Sequence, residues 1–194
     1  MEKTAIRLAP ALALFLLALA MGCTQAPQLG AFGSTHEHAD FKVYIDGQAY
    51  NFSQERYMTP TPPGGDDVCG NDSRLAHLHD MDGNMVHKHA TGVTWGYFFS
   101  TLNMSLTNGC LRLDDGASYC DNLDKRWRYF VNGTEVAGLK DQEIRNLDQV
   151  LLTYGATDAQ IRAQMDSVTH EAEAEKEGVG VCAPASGANG SVPA

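Results

Sequence analysis

Cations are scarce in this chain. Lys and Arg number 14 against 24 Asp and Glu in 194 residues, a formal net charge of -10. A nucleic-acid binder needs a basic surface to meet phosphates, so that class is excluded. Long apolar runs are also missing. The longest, Leu8 to Met21, covers 14 residues and is interrupted by Pro10, whereas a bilayer span needs about 20. No Cys-x-x-Cys occurs, which removes a thioredoxin-like redox role. There is no His-Glu-x-x-His, no Gly-x-Ser-x-Gly and no nucleotide-binding loop, so the familiar hydrolase and nucleotide motifs give no lead. What is present, 43% hydrophobic and 20% charged residues, fits a folded domain with tails.

The N-terminus reads as an address. Lys3 and Arg7 precede the apolar run, in the manner of a secretory signal over residues 1–22. Leu19-Ala20-Met21-Gly22-Cys23 resembles a lipobox, in which the cysteine becomes lipidated. The expectation is a lipoprotein held through Cys23 on the outer face of the cytoplasmic membrane or at the cell surface. Residues 23–35 form a tether, 36–177 a single His-rich domain, and 178–194 a flexible Gly/Ala/Ser/Pro tail.

Four further cysteines, Cys69, Cys110, Cys120 and Cys182, suit disulfides outside the cell. A three-residue loop centred on Asp115 puts Cys110 opposite Cys120, with Gly116 in the left-handed position. That pairing leaves Cys69 for Cys182. Asn-x-Ser/Thr sites at Asn51, Asn71, Asn103, Asn132 and Asn189 are glycosylation candidates. Asn132-Gly133 is equally well explained as a hairpin turn.

The patterning is α+β, mostly antiparallel hairpins with one packed helix and a C-terminal helix. Phe41, Val43 and Ile45 alternate with His38, Asp40, Lys42 and Tyr44, and Asp46-Gly47 turns the chain into a first hairpin. Residues 59–73 are a Pro/Gly/Asp loop, and residues 75–90 a second hairpin turning at Asp82-Gly83-Asn84. Thr94 caps a helix presenting Trp95, Phe98, Phe99 and Leu102. The cysteine hairpin, a Trp127–Ala137 hairpin and a buried Val150–Tyr154 strand follow. Thr157-Asp158-Ala159-Gln160 is a capping box opening a last helix, which frays into a solvated run at Glu171–Glu177.

Six of the seven histidines fall in three His-x-His pairs: His36/His38, His77/His79 and His87/His89. In a strand, residues two apart share a face, and neutral imidazole is a good ligand for copper and zinc. A three-residue turn at Asp82-Gly83-Asn84 sets His79 opposite His87 and His77 opposite His89. All four then share one face, and Ala76, Leu78, Val86 and Ala90 take the other. If the first strand lies beside this hairpin, six imidazoles line up and can hold one or two ions. Asp40, on the face of His38, is a ligand or an acceptor orienting a ring. Asp80 is a turn residue, and His170, alone on a helix, is left out. Met58, Met81 and Met85 lie near enough in sequence to add a soft donor. The EF-hand spacing is not met around Asp80, because position twelve is Thr91.

Two resemblances follow from these motifs. Trp127-Arg-Tyr-Phe-Val-Asn-Gly133 is similar to a signature of small secreted β-grasp modules, implying a β-grasp-like second half. His36-Glu-His-Ala-Asp-Phe, His77-Leu-His-Asp, Val86-His-Lys-His-Ala-Thr-Gly-Val-Thr-Trp-Gly and Leu151-Leu-Thr-Tyr-Gly155 together resemble a group of uncharacterised exported archaeal and bacterial proteins. That resemblance spans about residues 36–170 and implies a shared histidine-rich module without an activity.

The expectation is an envelope-anchored extracellular protein that captures, buffers or delivers copper or zinc. The alternatives are a metalloenzyme with a multi-His site, or a surface assembly module with a structural metal. The expected partners are the metal ion and the membrane.

Overall fold

Strict alternation over nine residues makes β1 (Glu37–Ile45) the organising strand. In the computed structural model, which describes residues 28–59 and 75–175, the strand is covered on both faces. Ala39, Phe41 and Val43 enter the main core, while His38 and Asp40 are buried on the other side. The remaining strands are β2 (Gln48–Ala49), β3 (Ala76–His77), β4 (Met85–Lys88), β5 (Ser105–Thr107), β6 (Cys110–Arg112), β7 (Ser118–Cys120), β8 (Trp127–Val131), β9 (Thr134–Val136) and β10 (Gln149–Tyr154). The helices are α1 (Trp95–Thr101), α2 (Asp158–Met165) and α3 (Glu171–Ala174).

The mixed seven-stranded sheet runs β3-β4-β1-β10-β8-β9, with β2 also on β1. A separate antiparallel sheet runs β5-β6-β7. The pair β1–β10 is parallel, with Val43 beside Leu152. Parallel neighbours need a long crossover, and everything between Asp46 and Asp148 supplies it. The hairpin with the β-grasp-like signature therefore completes its sheet on β1, through β8 on β10. Asp46-Gly47 (φ 51° and 82°) and Asn132-Gly133 (φ 50° and 78°) make the two-residue left-handed turns that right-twisted hairpins favour.

One face of the sheet carries the aromatic core. Thr94 caps α1 by accepting from Tyr97 N at 3.2 Å. The helix lays Trp95 and Phe98 on Phe41, with ring centroids 5.9 and 5.2 Å away. The other face is covered by α2, whose capping box forms as the sequence implies, and by α3. Ile161 and Val168 pack on Phe130 and Leu151 there.

The last helix does not continue and fray as expected. α2 stops at Met165, and α3 is a separate turn docked on β1. The cause is Asp40. Its carboxylate accepts from Thr169 Oγ1 (2.6 Å), Glu171 N (2.9 Å) and Ala172 N (3.1 Å), satisfying the free N–H groups of α3. The Glu-rich run is therefore not wholly a solvated face: Ala172 is buried and Glu171 half-buried. Burial and then the neighbouring Asp82 push the Glu171 carboxyl up from its ordinary value.

The described end of the tether is packed on the domain. From Gln28 the chain lies against the end of the second hairpin, through Gly30 N to Thr91 O (2.9 Å) and Gly33 N to His89 O (2.7 Å). Residues 1–27, the 60–73 loop, Cys23, Cys69, Asn71, Cys182, Asn189 and the C-terminal tail lie outside the described residues. Asn51 and Asn103 are exposed. The Asn132 side chain is engaged in its turn, donating to Asp148 Oδ1 (2.9 Å) and accepting from Gln149 N (2.8 Å). Among the described residues, no helix is long and apolar enough to cross a membrane.

The Cys110–Cys120 disulfide forms in the expected register, and Gly116 sits at φ 90°. Its sheet is tied to the rest by Tyr57, whose hydroxyl donates to Asp114 (2.9 Å) and lies 2.6 Å from that of Tyr50. Burial and these two bonds raise the Tyr57 phenol well above its ordinary value. Replacing Cys110 and Cys120 together by Ser should lower stability by about 2–3 kcal/mol, as expected for so short a loop. A lower urea midpoint, with a slope equal to or steeper than the wild type's because the released chain exposes more surface, would show it.

Candidate metal centre

Three adjacent strands place the imidazoles. β4 pairs with β1 so that His38 lies beside His87, and with β3 so that His77 lies beside His87 on the other flank. His87 is thus the middle of a row, on the face away from α1. His36 precedes β1 and His89 follows β4. The six rings close a loop of centroid contacts: His36–His38 4.8 Å, His38–His87 4.5 Å, His87–His79 3.8 Å, His79–His77 5.7 Å, His77–His89 4.9 Å and His89–His36 4.9 Å. Five are buried and His79 is half-buried. Phe32, near the start of the described residues, covers His89 at 5.4 Å.

The nitrogens converge at one side of this loop. His36 Nε2 and His38 Nε2 are 3.1 Å apart, and one ligand nitrogen from each of His36, His38 and His87 lies within 4.8 Å of the other two. An ion at ~2.0–2.1 Å from each imidazole nitrogen in tetrahedral geometry sets those nitrogens ~3.4 Å apart. Small ring rotations close that difference, so these three side chains can hold a transition-metal ion. Among the described residues they are the only such group of three. His77, His79 and His89 join the loop of rings but not this group of nitrogens.

The register of the second hairpin differs from expectation. His77 lies beside His87, and Ala76 beside Lys88, so neither His79/His87 nor His77/His89 is a strand pair. The chain leaves the strand after His77. Leu78 bridges to Met58, Thr59 N bonds Leu78 O at 2.7 Å, and Asp80 and Met81 take φ of 53° and 62°. Gly83 lies so close to the Ser53 backbone that no Cβ fits. The slip is two residues, and an even slip keeps every side chain on its face. The clustering survives for that reason.

Asp40 does not orient a ring; α3 takes up both its oxygens. Asp80 meets a ring instead, with Oδ2 2.8 Å from His79 Nδ1. It selects the His79 tautomer that donates from Nδ1 and leaves Nε2 as the ligand atom. Met85 is buried beside Asp40, on the face of His87, whereas Met81 is exposed. His170 sits at the start of α3, exposed and bonded to the Gln149 amide, outside the cluster.

The reverse face of the same strands carries an ion cluster. Lys88, between His87 and His89, reaches Glu37 Oε2 (2.7 Å), Glu143 Oε1 (2.9 Å) and Ile144 O (2.6 Å) and is almost wholly buried. Glu37, between His36 and His38, is therefore turned away from the imidazoles. Burial pushes the Glu143 carboxyl up, but hydrogen bonds from Lys88 and Gly92 N outweigh it and hold the group below its ordinary value. The chain was compared with protein-family models, with curated proteins and with solved structures, and none of the three gives a match.

A carboxyl lowered in the folded state adds stability that is complete above its unfolded pKa and is lost as pH falls through the folded value. Lys88→Met should cost about 3 kcal/mol at neutral pH, the low end for a broken buried pair, because both carboxylates keep some contact with water. It should also flatten the loss of stability below about pH 4. Urea denaturation at neutral pH and at several acidic values checks both.

Proposed function

We propose that this is an exported, envelope-anchored protein that binds copper or zinc, serving in capture, buffering or delivery of the ion. The observation that carries the reading is the convergence of three buried imidazole nitrogens, from His36, His38 and His87, within 4.8 Å of one another. A cluster of imidazoles has no apolar reason to form. It brings dipolar groups out of water, and a shared ion offsets that cost. All-imidazole donors suit Cu(II) and Zn(II), with copper the tighter. The remaining rings, His77, His79 and His89, stand in contact with the first three, where they can take part in passing an ion in or out. The signal-like leader and lipobox support the envelope location, and the two-residue use of Glu37 and Lys88 on the reverse face leaves no carboxylate of the His-x-His motifs as a general base. Binding therefore ranks above catalysis.

The metal requires neutral imidazole, so protons compete with it. His38→Ala together with His87→Ala should abolish tight binding of Zn(II) and Cu(II) by isothermal titration, while His170→Ala leaves it unchanged. Wild-type affinity should fall as the buffer is taken from pH 7.5 to pH 5.5. Unchanged affinity in the double variant would place the ligands elsewhere.

A further inference from the structure

We infer that Glu175 is the fourth ligand of the ion held by His36, His38 and His87, and that the metal thereby fastens α3 over the site. This rests on the metal-binding reading above. Glu175 Oε2 lies 3.9 Å from His38 Nε2, the nitrogen that also stands 3.1 Å from His36 Nε2. The carboxylate thus approaches one of the nitrogens on which the imidazoles converge, from outside the present group of three. Its side chain is 48% exposed, so it can swing the remaining distance without repacking the core.

The chain is built to deliver it there. Asp40 lies two residues after His38 on the same strand face and anchors the N–H groups of Glu171 and Ala172. One strand therefore supplies both a ligand and the mooring of the helix that returns Glu175. Ala172 is 1% exposed, and so small a side chain lets α3 approach β1 closely. Glu175 is the C-cap of α3, four residues after the half-buried Glu171 and itself exposed. Glu173 lies on the exposed face of the same turn.

The chemistry has three consequences. A divalent ion on three neutral imidazoles leaves two positive charges in a buried pocket, and a carboxylate removes one of them. Three nitrogens and one oxygen complete a tetrahedral set with no open position, as in sites that hold an ion rather than activate water. The hard oxygen favours Zn(II) or Cu(II) over Cu(I).

The test compares the wild-type chain with Glu175→Gln and Glu173→Gln, using Zn(II) for affinity and Co(II) as a spectroscopic stand-in. Glu175→Gln should weaken Zn(II) by at least the roughly 10–100-fold that loss of even an outer partner costs, and should shift the Co(II) visible bands. Zn(II) should slow amide exchange over residues 171–175 in the wild type and in Glu173→Gln but not in Glu175→Gln. If Glu175→Gln binds Zn(II) like the wild type with an unchanged Co(II) spectrum, Glu175 is not a ligand, while the three-histidine site stands. If the wild type binds none of Zn(II), Co(II) and Cu(II), both readings fall.

Discussion

The structure turns on the period of two in β1. Phe41 and Val43 feed the aromatic core beneath α1, and His38 and Asp40 feed the opposite side. Because β1 is central, with β4 on one flank and β10 on the other, both sets are buried. A strand that loses its place by one residue would drive imidazoles into the aromatic core and phenylalanine into the histidine cluster. The sheet therefore fixes the site with the same force that fixes the fold. His38, His87 and His77 come together because β1, β4 and β3 are neighbours in that order.

Much of this was legible along the chain. The alternation of Phe41, Val43 and Ile45 with His38 and Asp40 showed the two faces. Asp46-Gly47, Asn132-Gly133 and Gly116 carried their turns in residue type alone, and Thr94 and Thr157 announced their helices. Facial clustering of the histidines followed from their spacing. The pairing partner of His87 did not, because it depends on Leu78 being drawn to Met58 and on two left-handed residues at Asp80 and Met81. Neither preference is local. The parallel contact of β1 with β10 joins residues more than a hundred positions apart, which no turn signal marks.

Three roles were misread for one reason: a carboxylate's partner is set by tertiary geometry. Asp40 serves α3, Asp80 serves His79, and Glu171, in a run otherwise solvated as its composition implies, is half-buried. One signal was available. Glu37 stands between two histidines and Lys88 between two others, each on a face otherwise lined by Ala39, Phe41, Val86 and Ala90. A lone acid and a lone base on apolar stripes imply each other, and they are strand partners. This ion pair, with Glu143, locks β1 to β4 from behind, so the row of imidazoles in front is held by charge as well as by backbone bonds.

The central claim is that separate β-segments bring imidazoles to one ion. X-ray absorption at the metal edge of the zinc-loaded protein tests it most directly. The account predicts three nitrogen neighbours at about 2.0–2.1 Å, with the outer-shell scattering that imidazole rings produce. A zinc environment of oxygen neighbours without that scattering would contradict it.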